Sequence, residues 1–318
     1  MQIVYLAQGS EKEGFGHISR CKQVLDHLST QESVSSQRLL VDGDEYIHQK
    51  LLDNGTHFVS AEIFGDYVEA DVLVFDGYLL SNRVSFEVAN HPLSICLSPK
   101  IDPTAGFSRW FLRSRPEHMP ASAVDDRLQC SPSYGLLSPS EVAPARSRLA
   151  RDELSIGVCM GGGRTDIDLS AVFGAIVKAG VIAEIRLLNY LLPVSEQLAR
   201  NIRRLHWSSN PWDTHFADID LFVGAGGVMC LEALQRGVPV IEVNTSENLM
   251  KNKDLVAEGY YVQVNPEVTN PTSLVHLIAK ILDGRARVVL SEFVDKYKGK
   301  TLSESVLRYS TQNSGDRK

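Results

Sequence analysis

With 318 residues the chain is longer than one hydrophobic core usually serves, so two domains of about 150 residues each are the natural division. Hydrophobic residues at 43% and charged ones at 22% exclude a disordered or fibrous chain, and a net charge of −7 excludes a general nucleic-acid binder. The five cysteines, Cys21, Cys96, Cys130, Cys159 and Cys230, are scattered and form no Cys-x-x-Cys pair, which argues against a disulfide framework or a zinc site and for free thiols in the cytoplasm.

In chain order, the first strand is predicted over Gln2 to Ala7, and its apolar run from Ile3 is too short for a signal-peptide core. A helix follows over His17 to Leu28, where Ile18, Cys21, Val24, Leu25 and Leu28 recur at spacings of three and four. Strands at Arg38 to Val41, Asp71 to Phe75 and Leu93 to Leu97 alternate with helices near Asp44 to Asp53 and Ser81 to Ala89. Prolines at 116, 120, 132, 139 and 144 break any long periodic element, so residues 131–150 read as a linker between a domain of residues 1–130 and one of 151–318. The second domain repeats the alternation, with strands at Leu154 to Met160, Ala183 to Leu188, Leu221 to Gly224 and Val238 to Val243 and a helix over Val228 to Gln235. Helices at Ser273 to Leu282 and Leu290 to Tyr309 end the chain, the last of which would suit a crossing back onto the first domain. The rhythm predicts an α/β protein of two doubly wound, Rossmann-like domains facing an interdomain cleft. No stretch approaches the roughly 18 apolar residues of a membrane span.

Three glycine-rich turns fall where strands give way to helices, the place where open α/β sheets bind ligands. The first, Glu13-Gly14-Phe15-Gly16-His17, puts an imidazole at that edge, where it can act as a general base; Arg20 lies one turn further on. The second, Gly161-Gly162-Gly163, follows the first strand of the second domain. The third, Gly226-Gly227 before Val228, aims the open N–H groups of a helix at an anion, and Glu232 in its second turn can accept from ribose hydroxyls. Together such amides can hold a diphosphate without a metal. Two Asp-x-Asp pairs, Asp166 with Asp168 and Asp218 with Asp220, read as a helix cap and a strand entrance rather than a metal clamp.

These residues resemble the nucleotide-sugar hydrolases of pseudaminic acid biosynthesis, which release UDP from a UDP-linked 2,4-diacetamido-2,4,6-trideoxy sugar and have the GT-B fold. The resemblance is carried by Gly14-Phe-Gly-His-Ile-Ser-Arg-Cys21, Asp76-Gly-Tyr78, Tyr134-Gly-Leu-Leu137, Cys159-Met-Gly-Gly162 and Ala225-Gly-Gly-Val-Met-Cys-Leu-Glu232 with Gly237-Val-Pro239. It implies His17 as the base that activates water, Gly14, Gly16, Arg20, Asp76 and Tyr78 at the sugar, and Gly161, Gly162, Gly226, Gly227, Val228, Glu232, Glu247 and Asn248 at the UDP. It implies no metal or redox cofactor, and a UDP-sugar as the small-molecule partner. The chain departs from the family at Val228 and Met229, where hydroxyl residues are usual, at Leu249 for glutamine and at Gln8 for aspartate. Two other readings fit the same residues. A GT-B glycosyltransferase similar to the peptidoglycan N-acetylglucosaminyltransferase would pass the sugar to an acceptor hydroxyl, with peripheral membrane contact through Phe107, Trp110, Phe111 and the nearby arginines unless these form a buried strand. A nucleotide-sugar binder without turnover would keep the grip alone.

Overall fold

The computed structural model describes residues 1–12, 14–53, 57–60, 69–102, 104–112, 126–131, 134, 153–160, 172–175, 182–187, 202–204, 219–225, 227–243, 261–264, 276 and 301–314. The chain divides into two compact units, Met1–Pro139 with Gly299–Lys318, and Ser140–Lys298.

The first unit runs β1 (Gln2–Gly9), α1 (Gly16–Leu28), β2 (Ser36–Gly43), α2 (Glu45–Asp53), β3 (Val59–Ser60), β4 (Val72–Asp76), α3 (Asn82–Asn90), β5 (Ser94–Cys96), β6 (Arg109–Leu112) and β7 (Leu128–Cys130). Its parallel sheet has the order β3-β2-β1-β4-β5-β6-β7. The unbroken apolar run of β1 is explained by burial on both faces. Ile3, Tyr5 and Ala7 pack with Ile18, Cys21, Val24 and Leu28 of α1, while Val4 and Leu6 point the other way, toward Phe75, Val88, Phe107 and Trp110. The periodicity of α1 thus meets the two-residue alternation of β1.

Phe107, Trp110 and Phe111 are core residues, at most 2% exposed. Arg109 packs its guanidinium over Tyr309 and donates to the Asp126 carbonyl oxygen. The apolar residues of this segment are therefore buried in and beside β6 and, among the described residues, do not form the exposed apolar patch weighed for membrane contact. Among the described residues no helix is long and apolar enough to cross one.

The second unit contains β8 (Glu153–Cys159), β9 (Ile182–Leu187), β10 (Ile202–Arg204), β11 (Leu221–Gly224), α4 (Val228–Gln235), β12 (Val240–Val243) and β13 (Tyr261–Val264). Its sheet is again parallel, ordered β10-β9-β8-β11-β12-β13. Asp220 sits at the start of β11 and accepts from the Ser155 backbone N–H at 2.9 Å, so it ties two strands together. At the end of α4, Gly237 (φ 72°) donates to the Leu234 carbonyl oxygen and Val238 to that of Ala233. This is the paired arrangement that ends a helix on a left-handed glycine, and Pro239 follows it.

The last helix, α5 (Leu302–Ser314), belongs to the first unit rather than to a domain of residues 151–318. Leu302 and Val306 are buried in the cluster that holds Ile3, Tyr5 and Leu28. Its start is set by a reciprocal cap: the Glu304 carboxylate accepts from the Thr301 N–H at 2.9 Å, and the Thr301 hydroxyl accepts from the Glu304 N–H at 3.4 Å. Residues 273–275, 277–282 and 290–300, expected to be helical, lie outside the described residues.

Candidate functional site

In the first sheet β1 and β4 are neighbours, yet the chain leaves β1 toward β2 on the other side. Such a point of reversal opens a crevice at the carboxyl ends of the strands. Both strands end in the residues that matter. Beyond β1 the chain makes a tight turn in which Gly14 (φ 79°) donates to the Ser10 carbonyl oxygen at 2.7 Å, and α1 begins at Gly16. The N-cap residue, Phe15, has no side-chain oxygen with which to cap the helix. His17 and Arg20, three residues apart, share one helix face.

That face is turned to Asp76, the last residue of β4, which pairs with Ala7 of β1 and is fully buried. Asp76 Oδ1 accepts from His17 Nδ1 at 2.5 Å and from Arg20 Nη2 at 2.6 Å, and Oδ2 accepts from Arg20 Nε at 2.5 Å. Burial works against the carboxylate, but Arg20 and His17 outweigh it and hold Asp76 below its ordinary value. Burial likewise opposes charge on Arg20, and the Asp76 carboxylate prevails, raising its pKa. The pair is therefore ionised at neutral pH. An ionised carboxylate only accepts, so Nδ1 of His17 carries the proton of this contact, and Nε2 is the ring nitrogen left to act as a base. Arg20 Nη2 also lies 3.2 Å from His17 Nδ1, but its proton is directed to Oδ1.

Tyr78 closes one side of the imidazole, edge to face, with ring centroids 4.3 Å apart. The loop that carries it is organised by Gln8, at the end of β1. Gln8 Oε1 accepts from the N–H groups of Tyr78 (2.6 Å) and Leu79 (3.0 Å), and Nε2 donates to Asp42 (2.8 Å) and to the Leu79 carbonyl oxygen (2.9 Å). The approach is so close that a Cβ on Gly77 would lie 2.2 Å from Gln8 Oε1. Sequence reasoning marks Gln8 only as a departure from an aspartate; the usable signal is a long amide at the end of an otherwise apolar strand. Tyr134, quoted within the resemblance, packs in the core against Phe111 and not beside His17.

The second sheet reverses between β8 and β11, which register Gly224 against Cys159. The glycine turns expected to bind the nucleotide follow these two strands. Gly227 is the N-cap of α4, whose first residue is Val228, and no side chain caps it. Glu232 is buried, 2% exposed, rather than solvated on the helix surface. Gly161, Gly162, Gly226, Glu247 and Asn248 lie outside the described residues, as do Asp166, Asp168 and Asp218. Among the described residues, a Cβ placed on Gly16 or on Gly227 would meet no atom within 4 Å. Packing therefore gives no reason for glycine at either helix N-terminus, and close approach of a ligand would. Among the described residues no three His, Cys, Asp or Glu side chains gather as metal ligands.

No protein-family model matches the chain, and no curated protein matches it in sequence. Solved structures do match its backbone. The spinosyn forosaminyltransferase SpnP superposes with a TM-score of 0.66 at 11% identity, over 98% of this chain and 99% of that one. The glycosyltransferase of kitacinnamycin gives 0.63 at 15%, over 98% of each chain. The spinosyn rhamnosyltransferase SpnG, solved with thymidine diphosphate, gives 0.60 at 13%, over 97% of this chain and 99% of its own. Two parallel sheets, each reversing once, along the whole length of such structures identify the fold of this chain as GT-B.

Proposed function

We propose that this chain is a metal-independent glycosyltransferase that uses a nucleoside-diphosphate sugar, with His17 as its general base. The observation that carries the reading is the His17, Asp76 and Arg20 cluster at the reversal of the first sheet. Asp76 fixes the imidazole and Arg20 fixes Asp76, so both position His17 rather than meet the substrate. The free Nε2 then takes the proton of an acceptor hydroxyl as its oxygen attacks the anomeric carbon. The bond from that carbon to the diphosphate breaks, and the nucleoside diphosphate leaves with the electron pair. Amides at the Gly227 end of α4 suit the binding of a nucleoside diphosphate. Structural likeness to glycosyltransferases, one of them solved with thymidine diphosphate, supports a donor of this class.

Hydrolysis, with water in place of the hydroxyl, is the second reading. It is favoured by one observation: His17, Arg20, Asp76 and Tyr78, quoted from two separate motifs of the resemblance to UDP-sugar hydrolases, are in mutual contact or share Asp76. One experiment separates the readings. Release of UDP or TDP from a panel of UDP- and TDP-sugars is followed with and without hydroxyl acceptors. Release that needs an acceptor supports transfer, release in buffer alone supports hydrolysis, and binding without release leaves a nucleotide-sugar binder. His17→Ala should lower turnover by about 10²–10⁴-fold while nucleoside diphosphate affinity is kept; unchanged turnover removes His17 from the mechanism.

A further inference from the structure

A histidine ring has two broad orientations about its Cβ–Cγ bond, and only one of them turns Nδ1 to Asp76. Tyr78, in ring contact with the imidazole at 4.3 Å between centroids, narrows that choice. The loop that carries Tyr78 gains no apolar anchor from Leu79, whose side chain is 75% exposed. It is held instead by the side-chain amide of Gln8, which accepts from the N–H groups of Tyr78 and Leu79 and donates to the Leu79 carbonyl oxygen. A fourth hydrogen bond, donated to Asp42, ties the amide to the residue registered beside it on β2. These contacts use both donors of the amide and both lone pairs of its oxygen, which a carboxylate or an apolar side chain cannot reproduce. Gly77 completes the arrangement. It is buried and outside the left-handed region, and the three atoms nearest to a Cβ added there all belong to Gln8, with Cγ and Cδ at 2.7 Å. Glycine at position 77 is therefore required by the Gln8 side chain and not by its own backbone conformation.

We propose that Gln8 is a positioning residue for His17: its amide fixes the loop of residues 77–79, and the Tyr78 ring then keeps the imidazole with Nδ1 on Asp76 and Nε2 available to the reacting hydroxyl or water. The inference rests on the reading of His17 as the base. Ring signals of His17 in ¹⁵N-histidine-labelled protein, identified by their loss in His17→Ala, are compared across variants. Tyr78→Leu supplies the signals of the imidazole without its neighbour. Gln8→Ala should move the His17 signals most of the way to those of Tyr78→Leu. Gly77→Ala, which displaces the amide while leaving Gln8 in the chain, should move them in the same direction, and added to Gln8→Ala it should change little more, because the two act on one contact. Where the wild type turns over a UDP- or TDP-sugar, Gln8→Ala should lower kcat by about 10–10²-fold with KM nearly kept, since the imidazole is misplaced and the substrate contacts are not. His17 signals unchanged in Gln8→Ala, no difference between Tyr78→Leu and wild type, or an unchanged kcat would each overturn the proposal. Thermal unfolding checks that the variants are folded; if Gln8→Ala is not, Gly77→Ala decides by the same signals. The signals require no turnover, so a wild type that turns over no sugar of the panel removes the glycosyltransfer reading and still leaves Gln8 to be decided by them.

Discussion

Replacing Asp76 by asparagine would leave Arg20 charged, buried and facing a neutral amide. Removing one member of a buried ion pair typically costs about 3–5 kcal/mol, because the remaining charge is uncompensated. Asp76→Asn is therefore expected to lower the urea midpoint clearly, and a midpoint unchanged from wild type would contradict the geometry. The pH dependence follows from the depressed pKa of Asp76. A carboxylate held below its ordinary value of 3.8 contributes stability that is fully present above that value and drains away as pH falls through the lower, folded one. Wild type should keep this contribution from neutral pH down to about 4 and lose it below, whereas Asp76→Asn lacks that limb; parallel acid-unfolding curves would refute the assignment. His17 stands out in the sequence because glycines flank it, whereas Asp76 and Arg20 are marked as site residues only by the resemblance. Their pairing is not legible: only the register of β1 against β4 brings Arg20, one helical turn from His17, to a buried carboxylate.

Among the elements, interior strands are the legible ones and edge strands are not. β1, β4 and β11 lie inside their sheets and are buried, and they read as the apolar runs Ile3 to Ala7, Val72 to Phe75 and Leu221 to Val223. Every edge strand of the two sheets, β3, β7, β10 and β13, escapes the sequence pattern, being only two to four residues long. β6 is hidden for another reason: Arg109 opens it, yet lies over Tyr309 with its apolar neighbours in the core. The helix N-termini carry a sharper prediction. Because a Cβ at Gly227 meets no atom of the described residues and the backbone there is extended (φ −78°, ψ −165°), Gly227→Ala should fold, with a loss of at most about 1 kcal/mol for alanine at an N-cap. It should nevertheless weaken nucleoside diphosphate binding, since the methyl group occupies space that a phosphate in contact with the amides would need. Calorimetric titration with UDP and TDP measures this; unchanged affinity would remove the α4 N-terminus from the nucleotide site. Gly16→Ala offers the same comparison at α1, where space around the Cβ is equally open.

At the scale of the whole molecule, identities of 11–15% with structures that match over nearly the full length show how little of this fold depends on particular residues. What persists is the course of the backbone. Chain order, however, misleads about which segments fold together. The sequence rhythm bounds the second domain at residues 151–318, although a last helix crossing back onto the first domain suits the architecture, and that helix does complete the first unit by covering the α1 side of its sheet. The cause is local: α5 presents Leu302 and Val306 to the apolar cluster of Ile3, Tyr5, Val24 and Leu28, and Tyr309 meets Phe111 edge to face. Amphipathic spacing reveals that a helix has an apolar face without naming the surface that face will cover. The consequence is measurable. Val306 is fully buried, so Val306→Asp places an unpaired carboxylate in this cluster at a cost of several kcal/mol. Hydrogen exchange read by mass spectrometry should then show faster exchange across β1 and α1, whose side chains line the cluster, while β11 and β12 of the second unit keep their protection. Faster exchange in β11 and β12 with β1 and α1 unchanged would mean that α5 stabilises the second unit instead, and its assignment to the first would be wrong.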